Sequence, residues 1–158
     1  MPIPIRKQTR SVAAIKNGTV LDHIPAGTSL RILSLLNLEI HPKVVTVGLN
    51  LPSKRMSRKD LIKFEDRQIT HEEQNRIAIL APLATVVLIR NYKVIEKIKL
   101  TVPDSISALL VCPNAICITN AERMDSLFSV SQGGHIIHLT CVYCERTFQH
   151  QDIKQYTR

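Results

Sequence analysis

The chain has 158 residues, 44% of them apolar but only 4% aromatic, so a core must be built from aliphatic side chains. Its 21 Lys and Arg against 13 Asp and Glu give a net charge of +8, which favours anionic partners. MPIPIRKQTR has no signal-peptide core, and no run approaches the roughly 18 apolar residues of a membrane span; a soluble, cytoplasmic chain with no membrane partner is expected.

In chain order, residues 1–10 read as a flexible basic arm. SVAAIKNGTVLDHI carries short apolar runs on both sides of Asn17-Gly18, a pair that suits a tight hairpin, so strand, turn and strand are predicted. Pro25 and Gly27 stop the second of these strands. TSLRILSLLNL (28–38) has helical spacing, with Thr28 or Ser29 as N-cap. VVTVGLNL (44–51) is a near-continuous apolar strand, which predicts a central place in a sheet. SKRMSRKD (53–60) reads as a basic loop and LIKFE (61–65) as a strand.

Thr70 and Glu73 form a capping-box pattern that opens a helix ended by Pro82. ATVVLIR (84–90) is a buried strand by composition, and Asn91-Tyr92 turns into YKVIEKIKL. Alternation there puts Lys93, Ile95, Lys97 and Lys99 on one face and Tyr92, Val94, Glu96 and Ile98 on the other. The first part of the chain is therefore expected to be α+β, with helices on a mostly antiparallel sheet. TVPDSISA (101–108) reads as a linker, with a domain boundary near 101–106.

All four cysteines follow that linker, as Cys112-x4-Cys117 and Cys141-x2-Cys144. Each pair fits one tight turn that presents two thiolates to a point, and four thiolates make a closed, structural Zn²⁺ site. A segment of roughly 50 residues buries too little apolar surface to fold alone, so one zinc ion would supply folding free energy. Disulfides conflict with a reducing compartment, and a redox Cys-x2-Cys pair needs an exposed thiol at a helix N-terminus, whereas LTCVYCERTF reads as strand and knuckle. His135 and His138 are read as solvent-facing or structural.

NGTVLDHIPAG, GLNLPSKRMSRKDLIKFE, LAPLATV, VCPNAICITN and CVYCERTF, in this order, resemble the regulatory chain of aspartate carbamoyltransferase, over residues 11–150. The resemblance implies a noncatalytic subunit of pyrimidine biosynthesis. Residues 11–101 would form a ferredoxin-like antiparallel sheet with two helices on one face, which binds nucleotide effectors and pairs with a second regulatory chain. Residues 102–158 would form a β-rich, rubredoxin-like zinc domain that docks on the catalytic chain. The implied assembly has six catalytic and six regulatory chains, with CTP the usual inhibitor and ATP the usual activator at one site.

By the same match, Asp22 and His23 lie near the effector's ribose and phosphates, Lys63 at the ribose and triphosphate, and Lys97 at the phosphates, with Lys59 nearby. Val12, Ala14, Ile15, Tyr92 and Val94 match positions that enclose base and sugar, with Val87 beside the nucleotide and Ile89 a further nucleotide-binding position. Val87 departs from a polar residue, commonly Asn, and Ala13 from an acidic one. Asn114, Ile116, Tyr143, Glu145 and Arg146 match the contact with the catalytic chain, Ile116 standing where Asn can occur. The alternative reading is a zinc-ribbon nucleic-acid binder. The basic residues are spread over both domains and Tyr143 and Phe148 offer little stacking surface, so no nucleic-acid partner is expected.

Overall fold

Gly18 begins the first strand instead of turning a hairpin. In the computed structural model, which describes residues 12–36 and 42–154, residues 12–17 form no strand and β1 runs over Gly18–Pro25. A Cβ on Gly18 would lie 1.9 Å from the Phe64 carbonyl oxygen, and its φ is +135°. The glycine therefore serves a close strand approach, a need that sequence alone cannot tell from a turn. The basic arm and the end of the first helical pattern at Asn37 and Leu38 lie outside the described residues.

After β1 come α1 (Ser29–Leu35), β2 (Val45–Ser53), β3 (Ser57–Glu65), α2 (His71–Leu80), β4 (Thr85–Arg90) and β5 (Lys93–Lys99). The strands form one antiparallel sheet in the order β2-β3-β1-β4-β5. Its first four strands, with their helices, have the order of a split βαβ, ferredoxin-like unit. Leu21, Ile62, Phe64 and Val86 on one sheet face pack with Ile32, Leu35, Ile77 and Leu80 of the two helices. Contrary to expectation, β2 is an edge strand, and Val44 and Leu49 are exposed. The predicted basic loop also shrinks: Lys54–Met56 make the turn, and Arg58–Asp60 belong to β3.

The helix starts differ in kind. Thr70 caps α2 as expected, accepting from the Glu73 N–H at 3.2 Å while Glu73 accepts from the Thr70 N–H at 2.9 Å. Thr28 stands at the N-cap of α1 but makes no side-chain cap. The fully buried Asp60 of β3 does that work, accepting from the Gly27 N–H (3.0 Å), Ser29 N–H (3.3 Å), Ser29 hydroxyl (2.7 Å) and Asn50 N–H (2.9 Å). Burial raises the pKa of this carboxyl, but these donors outweigh it and hold it below the ordinary 3.8.

A second antiparallel sheet, β6-β7-β8-β9, comprises Ser105–Ser107, Leu127–Gly133, Ile136–Cys141 and Thr147–Gln149. Part of the predicted linker is thus an edge strand, held by pairing of Ser105–Ser107 with Leu127–Ser129. A short α3 (Ile118–Ala121) follows the first cysteine pair, and a 3-10 turn (His150–Asp152) follows β9. Ile106, Leu110, Phe128, Leu139 and Ile153 join the same buried cluster as the helix-covered face of the first sheet, so one apolar core runs through both sheets.

Candidate functional site

The four cysteine sulfurs all lie within 4.8 Å of one another. Cys112 and Cys144 Sγ are 3.7 Å apart, and Cys117 and Cys141 Sγ 3.8 Å. A disulfide needs about 2.05 Å. Four sulfurs at about 2.3 Å from a tetrahedral zinc stand about 3.8 Å apart, so the donor set and its spacing fit one zinc ion. With four thiolates the coordination is closed, and the metal is structural.

Local structure explains why the sulfurs converge. In the first knuckle the Cys117 N–H donates to the Asn114 carbonyl at 2.9 Å. The Asn120 side-chain amide reaches back from α3 to the carbonyls of Cys112 (3.0 Å) and Asn114 (2.9 Å). In the second, the Glu145 N–H donates to the Cys141 carbonyl at 2.8 Å, and Glu145 turns the chain with φ +59°. Thr119 donates its hydroxyl to Cys117 Sγ at 3.2 Å. Such supporting bonds orient metal ligands. Desolvation pushes the Cys112 thiol up. It also opposes ionisation of Cys144, yet the Arg146 N–H, the Asn114 side chain and the neighbouring thiols bring Cys144 down to about 6. Sequence reading missed Asn120 and Thr119; their signal is the short Asn and Thr side chains of a four-residue helix directly after a ligand.

Around the knuckles Ile116 is 83% exposed, and Tyr143, Glu145 and Arg146 are also exposed. Asn114 is nearly buried, with its side chain on Cys144, so its first role here is to hold the knuckle.

The second feature is the sheet face without helices. Cross-strand partners share a face. Val20 of β1 stands between Lys63 and Val87, and Val87 is opposite Lys97. Strict alternation would put Val94 on the other side from Lys97. The β4–β5 register shifts between Leu88 and Ile89, leaving Ile95 as an extra residue, so Val94 pairs with Ile89 while Glu96 pairs with Leu88. This bulge corrects the sequence expectation: Val94 joins Lys97 and Lys99 on the helix-free face, and the Ile95 position is inserted between them. Ile15 is buried there with Val20 and Val87, and Ile89 packs against them.

Lys63 Nζ donates to the carbonyls of Val12 (3.4 Å) and Ala13, drawing residues 12–15 across this face. Ala14 is exposed on that segment. Lys59 Nζ bonds Asp22 Oδ1 at 2.6 Å. Asp22 also accepts from the His23 N–H at 2.7 Å, where a second register shift gives His23 a φ of +58°. Burial would raise the Asp22 carboxyl, but Lys59 and the His23 N–H bring it below 3.8. Tyr92 is 65% exposed at the β4–β5 turn, its N–H donating to the Lys16 carbonyl at 2.9 Å. The face thus gathers Asp22, Lys59, Lys63, Val87, Ile89, Val94 and Lys97, with Ile15 laid against it and His23 and Tyr92 at its borders.

A family model described as aspartate carbamoyltransferase regulatory chain, allosteric domain, matches residues 10–101, and one described as aspartate carbamoyltransferase regulatory chain, metal binding domain, matches residues 104–154. The chain is 47% identical over 144 residues to the aspartate carbamoyltransferase regulatory chain of Serratia marcescens, and 49% identical over 144 residues to that of Yersinia enterocolitica. Each alignment covers 91% of this chain and 94% of the relative. The chain therefore belongs to the aspartate carbamoyltransferase regulatory chains, noncatalytic subunits with an allosteric and a metal-binding domain, whose partner is the catalytic chain.

Proposed function

We propose that the chain binds the nucleotides CTP and ATP on the helix-free face of its first sheet and passes their effect to catalytic chains of pyrimidine biosynthesis. The observation that carries this is the bulge at Ile95, which puts Val94 and Lys97 on one face with Lys63, Asp22 and the apolar Val87 and Ile89. A triphosphate needs cations at more than one point, which Lys59, Lys63 and Lys97 supply. The apolar side chains and the carbonyl-rich segment 12–15 suit a base and sugar. Residues 11–101 would serve as the effector and dimerisation domain, the exposed Leu49 of edge strand β2 and Val44 just before it suiting a second copy. Residues 102–158 would dock on the catalytic chain through the exposed knuckle surface of Ile116, Tyr143, Glu145 and Arg146, beside Asn114. The assembly would hold six catalytic and six regulatory chains.

A nucleotide shifts the catalytic chains only by its differential affinity for two states of the assembly, typically worth about 1–3 kcal/mol. Calorimetric titration of CTP and ATP into the chain tests the site. Lys97→Gln and Asp22→Asn should each weaken binding about tenfold, which is about 1.4 kcal/mol. Unchanged affinity in both variants would refute the face.

A further inference from the structure

Besides the covalent connection and the shared apolar core, a side chain among the described residues ties the two parts of the molecule by hydrogen bonds that reach across 119 to 122 positions of sequence. Arg31, in the first turn of α1, donates from Nη2 to the carbonyls of Ile153 (2.7 Å) and His150 (3.2 Å). Both acceptors lie at the turn that ends the second sheet, and Ile153 is 2% exposed. That turn is fixed on its other sides. The Gln149 N–H donates to Asp152 Oδ2 at 3.0 Å, and the Ile137 N–H of β8 to His150 Nδ1 at 3.3 Å. β9, which leads into the turn, follows the Cys141–Cys144 knuckle directly.

The same N-terminal end of α1 is held by Asp60, whose chain neighbour Lys59 grips Asp22. A continuous run of specific bonds therefore leads from Asp22 through Lys59 and Asp60 to α1, through Arg31 to the C-terminal turn, and by β9 to the metal knuckle.

We propose that Arg31 is the positioning residue that couples the effector face to the metal domain, by holding α1 and the turn at His150–Ile153 in one fixed relation. A guanidinium suits this task because its rigid planar fork sets an angle as well as a distance, which a lysine ammonium does not. Without it two backbone carbonyls lose a charged donor, one of them on a buried residue, and the turn must shift to find others. This inference rests on the regulatory reading above only for the identity of the effector. Coupling is reciprocal, so docking at the metal domain must also be felt at α1.

Hydrogen exchange on the full chain, alone and assembled with catalytic trimers, tests this in the wild type, Arg31→Lys and Arg31→Met, with zinc content and CTP affinity measured in each. In the wild type, docking should slow exchange in residues 29–35. Both variants should keep zinc and bind CTP within about twofold of wild type, yet lose at least two thirds of that slowing, and CTP should alter exchange at residues 150–154 only in the wild type. Equal slowing in Arg31→Met and wild type would overturn the proposal, as would no response at α1 in the wild type. If Arg31→Met does not fold, Arg31→Lys and the wild type decide by the same criteria. If the wild type binds no nucleotide, the effector assignment fails, and the docking response at α1 still decides the role of Arg31.

Discussion

Two carboxylates at one end of the first sheet have opposite duties. Asp60 is fully buried and accepts four hydrogen bonds, so it fixes backbone; Asp22 is half-buried and holds Lys59 beside open solvent. Asp60→Asn keeps the shape but removes charge and one acceptor, and should cost about 2 kcal/mol in denaturant unfolding. Both carboxyls sit below their ordinary 3.8 in the folded state. A depressed folded pKa adds stability above the unfolded value and loses it as pH falls through the folded one. Stability should therefore drop on acidification below about pH 4, and Lys59→Gln should raise the Asp22 pKa as followed by carboxyl NMR. None of this was legible in the sequence, because the donors to Asp60 come from 10 to 33 positions away. The cysteines were legible, because their pairing is local and four thiolates at such spacings have few other uses.

At the scale of elements, the capping box of α2 and the turn at Asn91-Tyr92, both of whose residues have positive φ, are local patterns and were read from sequence. Thr70→Ala should cost about 1 kcal/mol in thermal or denaturant unfolding. Elements decided by distant partners were misread. Gly18 imitates a hairpin glycine, but its need is set by the Phe64 carbonyl. The apolar run of β2 imitates a central strand, though β2 lies at an edge. The bulge at Ile95 falls where Val94 and Ile95 stand side by side before the charged pair Glu96-Lys97, a break in alternation that the sequence reading passed over. Its removal is informative: deleting Ile95 takes out the inserted position and should leave a regular ladder, with Val94 opposite Ile89 and two places from Lys97 on the helix-free face, so CTP affinity should stay within about threefold of wild type. Loss of CTP binding in that variant, with the fold intact, would contradict this register.

Across the whole molecule, the zinc site and the continuous apolar core solve one problem. The second sheet is small, with three-residue edge strands at β6 and β9, and it is stabilised by a metal at the knuckles and by shared burial with α1 and α2. The core does not stop at the sequence boundary near 101–106, because Ile106, Leu109 and Leu110 belong to the same buried cluster as the helices of the first sheet. Metal loss should therefore disorder the surface that carries Ile116 and Tyr143. A mercurial that displaces zinc should release the catalytic chains with their chemistry intact, as sedimentation and a rate assay would show; an intact complex after confirmed zinc loss would contradict this.

The most direct measurement is the carbamoyl-transfer rate of the cognate catalytic chain at sub-saturating aspartate, with and without this chain and with and without CTP. A CTP-dependent rate that appears only when this chain is present is the predicted result. A catalytic chain that neither binds this chain nor responds to CTP in its presence would contradict the account.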